Sequence, residues 1–276
     1  MSFWRGVGIV GLLGCSTPVG AANALEPTGA WNVTYEYSQC TASRDYGPRS
    51  EPIRLTLVPS VTGQAIRLLF SKPGRTAVTQ VLARVRFGLA RPIQTNAFVY
   101  EAGETKRRVS MVNLTMTEFK AAAEGPTIEF RSGSFSANLK VDRLPQVFGE
   151  LDKCLNDLRE YWNVRDVQPS STAQRAAGQV AVAQHDEKLV GLIRDSDYPA
   201  FAINRGLAGT VGMTILIDED GKVADCTVDG PSGVAILDAT SCYILEKRAK
   251  YLPAQDERGN PRRGAVSGRI AWRIAN

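Results

Sequence analysis

The 276-residue sequence contains a single histidine, His185, and lacks the short motifs that mark common catalytic sites. One histidine cannot build a His-rich metal site, and its place in or beside a polar linker makes a Ser-His-Asp triad unexpected. No Gly-x-Ser-x-Gly, Gly-rich phosphate loop or Cys-x-x-Cys occurs. The sequence therefore predicts no catalytic residue, no cofactor and no metal ligand, and it argues against an enzyme. A peptidoglycan-acting hydrolase, with two carboxylates brought together by the fold, stays as a remote alternative.

Acidic residues are absent between Glu51 and Glu101, although seven arginines and lysines fall in this stretch. The C-terminal part is close to neutral by comparison, so the positive excess belongs to the N-terminal part. Residues 52–100 are interpreted either as a solvated strand face or as a contact with an anionic surface such as phospholipid headgroups. The mild overall charge does not indicate a nucleic-acid partner.

No apolar run in the N-terminal segment is long enough to predict a membrane span. The run from Gly6 to Gly14 is short and Gly-rich, whereas about 20 apolar residues are needed. Arg5 before this run and the sequence Ala22-Asn23-Ala24 after it predict a signal peptide over residues 1–24. A lipoprotein signal over residues 1–14, with Cys15 as the acylated residue, is the alternative. The expected location is the periplasm, with lipid anchoring in the envelope or retention in the inner membrane as alternatives.

Four cysteines remain if Cys15 is removed or acylated, and an even number is typical of an oxidising compartment. Four cysteines permit three connectivities. The predicted pairing, Cys40 with Cys154 and Cys226 with Cys242, puts one bridge in each of two domains. The alternative for the second pair is two free buried thiols.

Alternating bulky and polar residues predict a β-rich N-terminal domain over residues 28–165. An amphipathic helix, Leu144 to Trp162, is predicted to close its sheet, with Cys154 on the inward side. A shorter helix is predicted from Thr115 to Ala123. Predicted strands lie at Trp31 to Tyr37, Ile53 to Leu57, Ile66 to Phe70, Ala97 to Tyr100, Thr127 to Phe130 and Ser134 to Val141.

Residues 166–190 are predicted to be a linker, and residues 191–276 a second, smaller domain. Its predicted elements are a short helix ending at Gly206, a hairpin with turn residues Asp218 to Gly221, a helix from Val234 to Ala249 and a last strand from Gly264 to Ile274. The fold class is thus α+β, with an antiparallel β-rich domain closed by a helix and a small domain of three antiparallel strands and two helices.

The order of these elements and several local signatures resemble the C-terminal domain of the TonB family over residues 195–275. The matching features are Tyr198-Pro199, Gly206 with Gly209, Asp220 to Val223, Leu237-Asp238, Leu252 to Ala254, and Gly259 with Pro261. The closest resemblance is to the variant with one cysteine on the second strand and one on the following helix. In that variant Cys226 and Cys242 would join the helix to the sheet. Pro231 stands in a turn where the variant usually has serine.

The resemblance implies that the domain binds an extended segment of an outer-membrane receptor, or of another envelope protein, by strand addition at the edge of its last strand. The implied edge consists of Ala265, Val266, Ser267, Gly268, Arg269, Ile270, Ala271, Trp272, Arg273 and Ile274. The same edge can stay unoccupied, or pair with its own copy in a homodimer.

Two departures put the motor connection of the family in doubt. The chain lacks a convincing spanning helix with motor-contacting residues, and a folded domain lies where the family has a Pro-rich spacer. The sequence therefore predicts an exported adaptor protein of the cell envelope. A TonB-type energy transducer for transport through outer-membrane receptors is the first alternative.

Overall fold

An antiparallel sheet of nine strands forms the N-terminal part of the chain, in the order β1-β2-β3-β4-β7-β6-β5-β8-β9. The structure, a computed structural model, describes residues 24–103, 105–122, 125–164, 182–183 and 189–274. The strands are β1 Asn32–Tyr35, β2 Cys40–Tyr46, β3 Ile53–Pro59, β4 Ala65–Pro73, β5 Thr79–Phe87, β6 Ile93–Ala102, β7 Arg107–Thr115, β8 Thr127–Ser132 and β9 Phe135–Lys140. The predicted signal peptide with Cys15, and His185 in the predicted linker, lie outside the described residues.

The segment before β1 joins the two sides of the curved sheet. The backbone N–H of Leu25 donates to the carbonyl of Asn138 (2.7 Å), and the N–H of Lys140 donates back to the carbonyl of Leu25 (3.1 Å). Three residues later, the N–H of Thr28 donates to the carbonyl of Asp45 in β2 (2.9 Å). Because β9 and β2 lie at opposite sides of the sheet, these bonds close it into a barrel-like layer and cover edges that would otherwise be open.

Helix α2, Leu144–Tyr161, lies across the interior of this layer, as predicted. Pro145 stands in its first turn, where the missing N–H leaves no hydrogen bond unmade. Its apolar stripe packs against the inward residues of the strands, and burial of each large aliphatic side chain contributes about 1.5–3 kcal/mol. The buried residues of the stripe are Leu144, Val147, Leu151, Cys154, Leu155 and Leu158.

Helix α1, Met116–Ala122, begins with a capping box. The N–H of Glu118 donates to Thr115 Oγ1 (3.1 Å), and the Glu118 carboxylate accepts from the N–H of Thr115 (2.9 Å). Phe119 is buried between Phe87 and Phe148, with ring centroids 5.2 Å from each. The helix therefore holds an aromatic cluster at one end of the barrel.

The C-terminal part of the chain has a three-stranded antiparallel sheet in the order β12-β11-β16, crossed by one long helix. Its elements are β10 Val182–Ala183, α3 Leu189–Leu192, a 3₁₀ turn Asp195–Asp197, α4 Ala200–Ile203, β11 Gly209–Ile217, β12 Val223–Gly230, α5 Ala235–Arg248, β13 Tyr251–Leu252, β14 Ala254–Gln255, β15 Pro261–Arg262 and β16 Gly264–Trp272. The α+β fold class is confirmed. The last strand ends at Trp272, two residues before its predicted end.

Both predicted cysteine pairs form disulfides. Cys40 at the start of β2 bonds to Cys154 on α2, with Cα atoms 6.0 Å apart. Cys226 on β12 bonds to Cys242 on α5, with Cα atoms 5.4 Å apart. Each bridge fastens a helix to the sheet that it covers.

Candidate functional site: the outer edge of the last strand

Strand β11 lies in the middle of the C-terminal sheet, so β12 and β16 form its two edges. Within the described part of the chain, no strand pairs with the outer side of β16. Side chains alternate along β16, with Ile270 and Trp272 buried toward α5 and Ser267 and Arg269 exposed on the other side. One face of β16 therefore packs against the domain core, and one of its edges pairs with β11. Its outer edge is a place where a further strand can add.

Two contacts fix the buried end of β16. The Trp272 indole N–H donates to Ser241 Oγ on α5 (2.9 Å), in a buried position. The ring of Tyr198 packs edge-on against Trp272, with centroids 5.1 Å apart, and the Tyr198 hydroxyl donates to the carbonyl of Leu207 (2.6 Å). Tyr198 of the Tyr-Pro signature thus packs against the buried face of β16.

The four arginines in and beside the last strand have different environments. Arg262 donates to Asn163 Oδ1 (2.5 Å), and Arg263 pairs with Glu219 (2.7 Å) while its guanidinium stacks on Tyr161 at 3.9 Å. These two side chains tie the start of β16 to the end of α2. Arg269 and Arg273 are exposed, and no carboxylate among the described residues pairs with either. The edge therefore presents two cations that have no ion-pair partner among the described residues.

The other edge strand, β12, lies against β4 and β7 of the N-terminal sheet. Arg67 of β4 donates to the backbone carbonyl of Cys226 on this strand (3.4 Å). Burial raises the pKa of Asp225, and Arg67 opposes that rise. Burial likewise raises the pKa of Glu246 on α5, and the Asp225 charge adds to the rise. Among the described residues, the N-terminal sheet thus lies against β12 and occupies one of its backbone carbonyls, so β16 is the more favourable edge for a further strand. The sequence alone did not show this.

A cavity of about 520 Å³ lies between the sheet face opposite α5 and the turn between β3 and β4. Asp229 stands at this cavity and accepts hydrogen bonds from Thr62 (3.0 Å) and Thr214 (2.5 Å), which joins the two parts of the chain. Gly212 and Gly230 face each other across β11 and β12 and leave the floor without side chains. Ser267, Gly268 and Arg269 of β16 form one wall, so the cavity opens beside the candidate edge.

The N-terminus of α5 is capped from the N-terminal domain. The N-cap residue Val234 makes no side-chain cap, and instead the Gln80 side chain of β5 accepts a hydrogen bond from the N–H of Ile236 (2.9 Å). Asn96 of β6 donates to the carbonyl of Gly233 (2.7 Å) just before the helix. A helix start leaves N–H groups without partners inside the helix, so a side chain from another element can satisfy one of them.

Asp238 in the first turn of α5 completes this junction. Its carboxylate accepts from the N–H (2.9 Å) and the hydroxyl (2.7 Å) of Ser232. Burial raises the pKa of the Asp238 carboxyl, while the hydrogen bonds from Ser232 and Asn113 lower it. The Leu237-Asp238 signature is therefore a structural device that fixes the turn before the helix.

We expect Gln80→Leu to lower the free energy of unfolding by about 2 kcal/mol, because a buried helix N–H loses its acceptor. Hydrogen exchange at the first turn of α5 should accelerate in the same variant. Gln94→Leu on the neighbouring strand β6 is the control, since Gln94 is exposed and a change within about 0.5 kcal/mol is expected there. Equal effects of the two substitutions in chemical denaturation would contradict the role given to Gln80.

The basic stretch of residues 52–100 is distributed over several environments. Arg54 pairs with Asp45 (2.8 Å), Arg86 pairs with Glu129, and the Lys72 ammonium lies 5.1 Å from the centroid of the Phe135 ring. Arg67 faces the C-terminal domain. Contact of this stretch with an anionic surface stays a prediction.

Among the described residues, no group of three or more His, Cys, Asp or Glu side chains is arranged to hold a metal ion. Of the helices that the structure describes, none is long and apolar enough to cross a membrane.

Comparison with known families identifies the C-terminal part of the chain. The family model of the Gram-negative bacterial TonB protein C-terminal domain matches residues 194–274, which confirms the resemblance over residues 195–275. Curated proteins and solved structures gave no significant match. The matched family is a non-enzymatic domain, whose members interact with outer-membrane receptors or other envelope proteins. Residues 194–274 of the chain therefore match the TonB C-terminal domain, as their order of elements and short signatures predicted.

Proposed function

We propose that this chain is a periplasmic adaptor that binds an extended segment of another envelope protein by adding it as a strand to the outer edge of β16. The observation that carries the proposal is the unpaired outer side of β16, in a sheet whose other edge strand gives one backbone carbonyl to Arg67 of the N-terminal sheet. The N-terminal domain lies against β12, whereas no described strand pairs with the outer side of β16. Backbone hydrogen bonds along the added strand would supply affinity, and side chains at alternate positions would supply selectivity.

The charges at this edge favour a segment with acidic side chains. Arg269 lies on the sheet face opposite α5, and Arg273 follows directly after the end of β16, where continued alternation would place it on the same face. An added strand that carries Asp or Glu at two positions four residues apart would place a carboxylate beside each guanidinium. Opposite-charge pairs across neighbouring strands contribute about 0.2–1 kcal/mol each.

The test uses synthetic peptides that cover the periplasmic N-terminal segments of the host's outer-membrane receptors. Binding measured by fluorescence anisotropy should be tightest for segments with this acidic pattern. The double variant Arg269→Glu/Arg273→Glu is expected to weaken their binding about tenfold, because two attractive cross-strand pairs become repulsive. Arg258→Glu, at an exposed hairpin tip, is a control for reversal of a single charge away from the edge and should leave affinity unchanged.

Hydrogen exchange with and without peptide locates the binding edge. Amides of residues 265–272 should become protected on binding, while amides of β12 should not change. Protection at β12 alone, or equal peptide affinity of the Arg269→Glu/Arg273→Glu and control variants, would contradict the proposal. A dimer whose β16 amides are already protected without peptide would assign the edge to pairing between two copies. Coupling to a proton-driven motor is not part of the proposal.

A further inference from the structure

A second cavity, of about 450 Å³, lies at one end of the N-terminal barrel, between α1, α2 and the β3–β4 turn. Its walls are mainly apolar, and four of the lining residues belong to the buried core of the barrel: Phe119, Leu144, Leu151 and Leu155. Phe148 and Met116 are only partly buried, and both line this cavity. The cavity therefore leads from the surface into the apolar interior, and large apolar side chains stay partly open to solvent along it.

Cations dominate the rim of this cavity. Lys120 on α1 is exposed, and no described carboxylate forms an ion pair with it. Arg159 on α2 is fixed in place, because its Nε donates to the carbonyl of Val61 (2.6 Å) and its Nη1 donates to Asn156 Oδ1 (2.9 Å). One carboxylate, Asp152, also lies at the rim. Two cations against one carboxylate leave the opening with a net positive charge.

We propose that this cavity is a binding site for a single acyl chain with an anionic head group. The chain would occupy the apolar interior beside Phe119 and Phe148, and the head group would lie at the rim near Lys120 and Arg159. An extended protein segment fits the interior less well, because its backbone N–H and C=O groups would be buried without partners there. An acyl chain carries no such groups, and a carboxylate or phosphate head forms charge-assisted hydrogen bonds with lysine and arginine.

The first test is direct titration of the purified protein by calorimetry, below the micelle concentration of each ligand. Dodecanoate represents a free fatty acid, and 1-dodecanoyl-glycerol-3-phosphate represents a lysophospholipid. Each anion is expected to bind at least tenfold more tightly than its matched neutral or zwitterionic counterpart, dodecanol or the corresponding lysophosphatidylcholine. The anion that binds with the higher affinity shows whether the natural ligand is a free fatty acid or a lysophospholipid. Absence of binding by both anions, or equal binding of charged and uncharged ligands, would overturn the proposal.

The second test locates the ligand through the methionine methyl groups. Met116 lines this cavity, whereas Met213 lies in the C-terminal domain beside the other cavity and Met111 lies on β7. In ¹³C-methyl methionine spectra of the full protein, dodecanoate should shift the Met116 signal and leave the signals of Met213 and Met111 in place. A shift of Met213 without one of Met116 would place binding at the interface of the two domains and reject the barrel site.

The third test uses exposed lysines, so that folding is not disturbed. Lys120→Ala should weaken dodecanoate binding about tenfold and leave dodecanol binding unchanged. Lys153→Ala on α2 is the matched control, because Lys153 is exposed, pairs with Glu150 and does not line the cavity. Equal loss of affinity in both variants would show that general surface charge, rather than the rim, attracts the anion.

Discussion

Removal of the Cys40–Cys154 bridge in the double variant Cys40→Ala/Cys154→Ala is expected to lower the free energy of unfolding by about 4 kcal/mol. The two cysteines are 114 residues apart, so the bridge removes much of the chain entropy of the unfolded state. Both side chains are also buried, Cys40 completely, between β2 and α2. Urea unfolding followed by tryptophan fluorescence measures the loss.

The second bridge provides the matched comparison. Cys226 and Cys242 are 16 residues apart, and the double variant Cys226→Ala/Cys242→Ala is expected to lose about 3 kcal/mol, since the loop is shorter. The Cys40→Ala/Cys154→Ala variant should lose α2 packing first, with early hydrogen exchange in residues 144–161. A larger effect of the C-terminal bridge on the N-terminal barrel would contradict this order.

Gly221→Ala is expected to destabilise the C-terminal domain by about 4 kcal/mol, because strain and a clash act together. Gly221 has φ +77°, and a Cβ atom there would lie 2.0 Å from the carbonyl oxygen of Tyr251. The backbone also cannot move away freely, since the N–H of Tyr251 donates to the carbonyl of Gly221 (2.8 Å). Thermal unfolding of the variant, together with hydrogen exchange at β11 and β12, measures the loss.

Gly259→Ala separates the strain from the clash. Gly259 has nearly the same backbone conformation, φ +81°, but a Cβ atom there would have no other atom within 4 Å. This variant is expected to lose only about 1 kcal/mol, from the left-handed conformation alone. Similar losses in Gly221→Ala and Gly259→Ala would show that the contact with Tyr251 relaxes at little cost.

The elements that the sequence predicted are those with a strong local pattern. Helices α2 and α5, the hairpin of β11 and β12 and the last strand β16 carry bulky residues at helical or alternate spacing, and each lies within a few residues of its predicted bounds. Strands β2, β5 and β7 of the N-terminal sheet were not predicted. The inward positions of β2 are Cys40, Ala42, Arg44 and Tyr46, which do not form a bulky apolar alternation. Its Arg44 is buried, and it pairs with Asp142, a residue 98 positions away, and donates to the carbonyl of Gly29 (2.8 Å).

At the candidate edge, too, local sequence patterns predicted some features and missed others. The order of elements and the short signatures of residues 195–275 predicted which strand is the last and which residues form it. They did not predict that residues of β4, β5 and β6 would contact β12 and α5, because Arg67, Gln80 and Asn96 have no local pattern that marks an interface. Nor did they predict the barrel cavity, whose lining comes from separate segments of the chain.

The sequence by itself determined the α+β class and the TonB-like C-terminal domain, since periodicity and turn residues are local properties. The predicted division into two domains then selected one of the three possible cysteine connectivities. Only the tertiary structure decided which edge of the C-terminal sheet is available, how the barrel is closed by residues 25–28, and where apolar walls and unpaired cations meet. These features depend on contacts between residues far apart in the chain, and such contacts are fixed by packing of whole elements rather than by any pattern within one of them.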